Sequence, residues 1–470
     1  MKAPLSAIWI ALGASLAFRA LAQGAPTPAQ QQLREIYKEL VEINTTDSVG
    51  SCTAAAEGMA VRLKTGGLPA QDVQVIVPSG GPKKGNLVVR YRGTGAKRPL
   101  MLLGHLDVVE AKREDWQRDP FKLVEENGYF YARGTADDKA MVAVFVANLI
   151  RYRQEGYRPD RDMILVATCD EEIAPSNFSG IVYLLKSHRS LIDAEFALNE
   201  GGISLLDKNG SYLRMSIQAG EKVFQTYQLE VTNPGGHSSL PVKDNAITHL
   251  AGGLARLGAH DFPFKLSATT RAYFEQMSRV ETGQTAADMK AILRDPPDPE
   301  AIARLSATAL NNSTFRTTCV ATMLEAGHAT NALPQRARAT VNCRILPGEP
   351  VAEVQNALAR VVANDKIKIT PTHEPTLSPP PPLTREILGP VEVVSAQMFP
   401  GVPVVPTLLA GATDGRFTIN AGIPTYGVNG MFGDPDGSGV HGLNERIRVH
   451  SLYEGHEFLY RLVKLYAGGS

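Results

Sequence analysis

Adjacent carboxylates repel one another, yet the stretch TCDEEIAPSNFSG (168–180) sets Asp170, Glu171 and Glu172 in a row directly after the apolar run MILVA. Other ionisable residues stand at comparable places. His105 and Asp107 follow PLMLLG, Asp137 and Asp138 follow YARGTA, Glu200 follows FALN, and His441 lies in SGVHGLNE. Two imidazoles, several carboxylates and no thiolate suit a borderline divalent ion such as zinc, and the surplus of carboxylates suits two ions that share a bridging ligand. Ligand type alone does not separate zinc from cobalt or manganese. Cations would also make the double glutamate tolerable, neutralising one carboxylate while the other holds a proton. Taken singly, each residue has a plainer reading as a core histidine, a helix cap or a solvated surface pair. Their recurrence at strand ends carries the expectation.

Strand ends matter because sites in open α/β sheets form at the carboxyl ends of the strands. The runs NLVVRY (86–91), PLMLLGH (99–105), MILVAT (163–168) and EFALNE (195–200) are apolar and bounded by turn residues, as buried strands are. Between them lie helical patterns, notably 33–43 and the glycine-closed stretch 139–156. Beyond about Gly220 the texture becomes alternating strand (224–232), helix (244–257), two alternating strands (313–324 and 335–346), helix (351–363) and a final strand (366–370). That β-α-β-β-α-β order is ferredoxin-like. A polar helical excursion at 262–308 interrupts it and is expected to shape access. The proline-rich segment HEPTLSPPPPLT (373–384) leads back to the first texture. The expected fold is therefore an α/β catalytic domain layered on a central mixed β-sheet, with an inserted ferredoxin-like α+β lid domain. Its divisions fall at 1–22 (a leader), 23–220, 221–372 (the insert) and 373–470.

Composition narrows the partners. Lys plus Arg and Asp plus Glu each number 48 in the 470 residues, so no basic field points to nucleic acid or an anionic membrane. A small molecule is the expected partner. The first residues carry one early lysine, an apolar run broken by Arg19, and ALA at 20–22, the pattern of a secretory signal peptide and short of the ~20 apolar residues of a membrane span. A secreted or periplasmic location follows as an expectation, with no stable membrane insertion. Cys52, Cys169, Cys319 and Cys343 are too few and scattered for a disulfide framework or a thiolate zinc site. A bond between Cys319 and Cys343, on neighbouring predicted strands, is open, and Cys169 reads as a small buried residue.

The motifs GHLDVV (104–109), RGTADDKA (133–140), TCDEE (168–172), LNEGG (198–202), GGHSS (235–239), NALP with NCRILPG (331–348), GATDGRF (411–417) and VHGLNE (440–445) together resemble the co-catalytic zinc exopeptidase family. Glutamate carboxypeptidase, carboxypeptidase S, succinyl-diaminopimelate desuccinylase and aminoacylase belong to it. The resemblance implies two Zn2+ ions bridged by Asp137, with His105 and Glu200 completing one shell and Glu172 and His441 the other. Asp107 would accept the second N–H of His105, and Glu171 would be the general base. His237 would stabilise the oxyanion from the insert. Asn331 and Arg344 would hold a substrate carboxylate, helped by Thr413 and Arg416. Ala140 stands where glycine often follows the lysine, and Asn342 where aspartate often precedes the arginine.

The implied reaction is amide hydrolysis, by an exopeptidase of carboxypeptidase or dipeptidase type on short peptides or by a deacylase on N-acyl amino acids, with a homodimer formed through the insert. A non-catalytic binding protein on the same scaffold has no need of Glu171. A serine hydrolase would need Gly-x-Ser-x-Gly, which is absent, although Ser438 and His441 lie close in sequence.

Overall fold

The computed structural model describes residues 25–173 and 176–469; the expected leader lies outside them. The four expected strands form. Leu100–His105 and Met163–Thr168 are buried at every position and pair in parallel, with Phe196–Asn199 parallel on the other side of Leu100–His105. Burial on both faces explains why these strands read as unbroken apolar runs instead of alternating.

The order across the main sheet is Val73–Ile76, Asn86–Tyr91, Met163–Thr168, Leu100–His105, Phe196–Asn199, Thr425–Gly427, Tyr212–Glu221, Ser204–Leu206 and Phe432–Gly433, with Val404–Leu409 also pairing with Tyr212–Glu221. Parallel and antiparallel neighbours mix, as expected for the fold class. Helices cover the sheet. Pro28–Glu42 starts at a capping box made by Thr27 and Gln30, with proline in its first turn. Lys139–Glu155 is buried along most of its length and stops at Gly156, whose φ of 68° is left-handed.

At Glu221 the chain passes from the main sheet into a second one. Val223–Thr232, Thr318–Ala326, Arg336–Ile345 and Lys368–Pro371 form an antiparallel sheet in the order Thr318–Ala326, Arg336–Ile345, Val223–Thr232, Lys368–Pro371. Helices Ala246–Gly258 and Val351–Val362 pack with it around Tyr227, Leu250, Val341 and Leu358. The strand–helix–strand–strand–helix–strand order is the one read from the sequence.

Two features go beyond the sequence reading. The excursion is helical as expected, and its helices Ala268–Val280, Gly283–Ala291, Pro299–Ser306 and Ala309–Phe315 enclose a core of Phe274, Met277, Ile292 and Phe315 that includes Val405 of the main sheet. Thr269 donates to the Ala219 carbonyl at 3.2 Å, fastening this subassembly to the catalytic sheet. The cysteines, too, are not scattered in space. Cys319 and Cys343 face each other across antiparallel strands and are bonded, and Cys52 is bonded to Cys169 across a sequence separation of 117. Cys169 is buried as expected, but as half of a disulfide.

Candidate functional site

His105 ends its strand with 1% of its side chain exposed. Its Nδ1 donates to the main-chain carbonyl of Asp107 at 3.0 Å, which leaves Nε2 facing Asp137 Oδ1 at 2.9 Å and Glu200 Oε2 at 3.8 Å. A carbonyl accepts only, so this bond commits the proton to Nδ1 and presents Nε2 as a ligand atom. The Asp107 carboxylate, expected to take that N–H, lies 3.6 Å away and has another task. Its two oxygens accept the main-chain N–H groups of Glu171 at 3.2 Å and Glu172 at 3.0 Å, fixing the double glutamate.

Asp137 stands between the two histidines. One oxygen meets His105, and the other lies 3.3 Å from His441 Nε2, which is also 3.0 Å from Glu172 Oε2. One carboxylate offering one oxygen to each side is the arrangement a bridging ligand requires. His105, Asp137 and Glu172 converge as one group of ligand atoms, and His105, Glu171 and Glu200 as another. The five expected metal ligands and Glu171 are thus brought together.

Electrostatics describe the same centre. Burial, then the charges of Glu200, Asp414 and Asp107, pushes the Glu171 carboxyl well above the usual range against the pull of His105. Burial likewise raises Glu172 to about 7. Against its own burial, the adjacent imidazoles of His105 and His441 hold Asp137 below the usual range. The Asp137 hydrogen bond, helped by Glu172, raises His441 to about 9. So dense a set of half-buried anions would be stabilised by cations, and the donor types fit a pair of divalent ions.

Supporting residues complete the site. Glu445 accepts from the main-chain N–H groups of Gly134 at 3.0 Å, Ala136 at 2.8 Å and Asp137 at 3.1 Å, and pairs with buried Arg133 at 2.7 Å. It holds the loop that presents Asp137. Its signal was its place in VHGLNE, four residues after His441. Asp138 comes within 3.3 Å of the His105 N–H, an approach that depends on Gly104, where a Cβ would lie 2.7 Å from Asp138 Oδ2. Asp414 accepts from Thr168 Oγ1 at 2.7 Å and is raised by burial to about 7.

The expected substrate residues divide. Arg344 lies over the Phe224 ring at 4.7 Å, with Nε donating to Asn342 at 3.2 Å. Burial and the nearby charge of Arg416 depress its guanidinium pKa, so the two arginines sit within each other's field. Among the described residues neither forms a salt bridge. Thr413 is buried, its hydroxyl shared among Glu221, Asn199 and Gly415, which makes it a brace for the loop that carries Arg416. His237 and Asn331 lie exposed at one short antiparallel ribbon of the insert. There His237 Nδ1 contacts the Ser239 hydroxyl at 2.7 Å, and the Asn331 carbonyl accepts from Ser238 N–H. Neither joins the acidic centre by a hydrogen bond. Next to Arg416, Ile173, Val182, Phe224, His373 and Phe417 line a cavity of about 500 Å³.

Comparisons with known proteins agree with this geometry. The chain is 30% identical over 376 residues to the N-fatty-acyl-amino acid synthase/hydrolase PM20D1 of Homo sapiens, covering 78% of this chain and 74% of that protein. It is 27% identical to the probable carboxypeptidase S-like 2 of Dictyostelium discoideum over 81% of this chain and 74% of that one. Its fold superposes with a TM-score of 0.67, at 20% identity, on an M20 family metallo-carboxypeptidase from Sulfolobus solfataricus, covering 93% of this chain and 99% of the other. Residues 101–465, which hold every histidine and carboxylate of the acidic centre, match the family described as peptidase family M20/M25/M40, and the chain belongs to that family of metal-dependent hydrolases.

Proposed function

We propose that this protein cleaves the amide bond of substrates that end in a free carboxylate, as an exopeptidase on short peptides or a deacylase on N-acyl amino acids, with two zinc ions held by His105, Asp137, Glu172, Glu200 and His441. The observation that carries this reading is Glu171, a half-buried carboxyl of raised pKa that converges with His105 and Glu200 and whose main-chain N–H is fixed by Asp107. When bound there, the cations would polarise the amide carbonyl and acidify the attacking water. Glu171 receives the proton of that water on its carboxylate and returns it to the leaving nitrogen. Arg344 and Arg416, charged and without salt bridges among the described residues, hold the terminal carboxylate as a guanidinium fork can. The apolar cavity beside Arg416 receives the adjoining side chain. The names of the human and Dictyostelium relatives, one an N-acyl-amino acid hydrolase and the other a carboxypeptidase, support the same chemistry.

The insert serves in this reading as a ferredoxin-like lid that brings His237 to the developing oxyanion on closure, a contribution worth about 3–4 kcal/mol of barrier. A second copy would add to its edge strand Thr318–Ala326, where Val320, Met323 and Leu324 are 60–69% exposed. Export through the leader accords with the pairing of all four cysteines, which suits an oxidising compartment.

The test is hydrolysis of a panel of dipeptides and N-acetyl amino acids by the metal-loaded enzyme, with chelator and with Glu171→Gln. Release of free amino acid should stop with chelator and fall by about 10²–10⁴ in the variant at unchanged metal content. A fully active Glu171→Gln enzyme would refute the assignment.

A further inference from the structure

The double glutamate is tied to the rest of the molecule at a point that neither hydrolytic chemistry nor metal binding explains. Cys169 lies between Thr168, the last residue of its strand, and the Asp170-Glu171-Glu172 run, and its sulfur is bonded to Cys52 in the first turn of the helix Cys52–Thr65. Both cysteines are buried, at 2% and 1% exposure. The pair abuts the site: the two sulfurs and an Asp107 carboxylate oxygen all lie within 4.8 Å of one another. That carboxylate accepts the main-chain N–H groups of Glu171 and Glu172. The backbone turns sharply here, since Asp170 has a left-handed φ of 62°, and the turn is held by Lys84 on the Asp170 carboxylate at 2.7 Å.

We propose that the Cys52–Cys169 disulfide is a positioning element for the base: it sets the height of the strand-end peptide against Asp107, so that full turnover requires the bond to be closed. The inference rests on the reading of Glu171 as general base. The bond is the covalent tie between this turn and the helix Cys52–Thr65; without it the peptide before Glu171 is free to drift, and a misplacement of about 1 Å costs on the order of 10²-fold in a catalytic group. The fold around it should survive, because the Cys169 N–H still donates to Asn86 at 2.9 Å and its carbonyl still accepts from Gly180 at 2.8 Å. His105, Asp137, Glu200 and His441 come from other strand ends and keep their places, whereas Glu172 shares the run and shifts with Glu171. Turnover is the quantity that changes.

The experiment compares the metal-loaded wild type with Cys52→Ala/Cys169→Ala, with Cys319→Ala/Cys343→Ala as the internal control and Glu171→Gln beside them. Opening Cys52–Cys169 should lower kcat at least tenfold on an N-acetyl amino acid assayed at saturating metal and leave KM within twofold, while the control pair keeps wild-type kcat. The same change should follow reduction of the wild type by tris(2-carboxyethyl)phosphine. In that step phosphorus takes one sulfur, the S–S bond breaks, water supplies the oxygen of the phosphine oxide, and two thiols result. Reoxidation should restore kcat. A folded double variant with wild-type kcat overturns the proposal. Should the variant not fold, alkylated Cys52 and Cys169 in a reduced enzyme of undiminished activity overturn it as well. Activity surviving in Glu171→Gln overturns the base assignment, and with it any positioning role.

Discussion

The Asp107 side chain shows how far a residue's identity falls short of its task. Its place two residues after His105 was legible, and so was the need for a partner to the imidazole. Which of its atoms would serve was not, because the main-chain carbonyl reaches Nδ1 and frees the carboxylate for the glutamate N–H groups. Asn342 is another departure that acquires meaning at this scale. Its amide orients Arg344 through a neutral oxygen and leaves the guanidinium charge uncompensated for a substrate anion. Asn342→Asp should pair with Arg344 and raise KM several-fold for carboxylate-bearing substrates with kcat unchanged, as steady-state kinetics would show. Glu445→Gln tests the opposite case. It leaves the buried Arg133 without its counter-charge, and should cost about 3–5 kcal/mol of stability in denaturant unfolding together with part of the bound metal.

Among the elements, the strands that end in the site were readable because they are buried on both faces and so appear as apolar runs bounded by turns. The insert was readable because one face of its central strands is wet, as in the alternating burial of Val223–Thr232 and Arg336–Ile345. The excursion at 262–308 was legible as helix but its core was not: its helices carry few apolar residues apiece, and the core exists only once four of them meet Val405. Phe274→Ala, at a fully buried position, should therefore destabilise the enzyme by about 3–5 kcal/mol, seen as a lowered urea midpoint. The Cys52–Cys169 link was illegible because no local pattern joins residues 117 apart in sequence. On the insert's edge strand, Met323→Glu should convert a dimer to a monomer in sedimentation analysis, since it sets a charge on the apolar edge.

For the molecule as a whole, acid should act through a histidine remote from catalysis. Burial, reinforced by Arg151, lowers His456 to about 4 within the helix Val449–Ala467. The unfolded chain takes up that proton below its usual pKa of about 6.5, and the folded chain resists until about 4. Stability is thus fully present above about pH 6.5 and declines between there and about 4, by no more than about 1.4 kcal/mol per pH unit. Unfolding midpoints measured across that window should show the slope flattened by His456→Gln. One feature of the sheet bears on how the protein is made. Thr425–Gly427 lies between Phe196–Asn199 and Tyr212–Glu221, and His441 and Glu445 follow it. At about 5–20 residues per second, a ribosome needs roughly 10–45 s to pass from the earlier of these strands to the one that joins them. Throughout that interval the nascent chain holds Asp137, Glu171 and Glu200 but lacks the second imidazole and the clamp on the Asp137 loop. Hydrolytic capacity therefore arises only after His441 and Glu445 have been added.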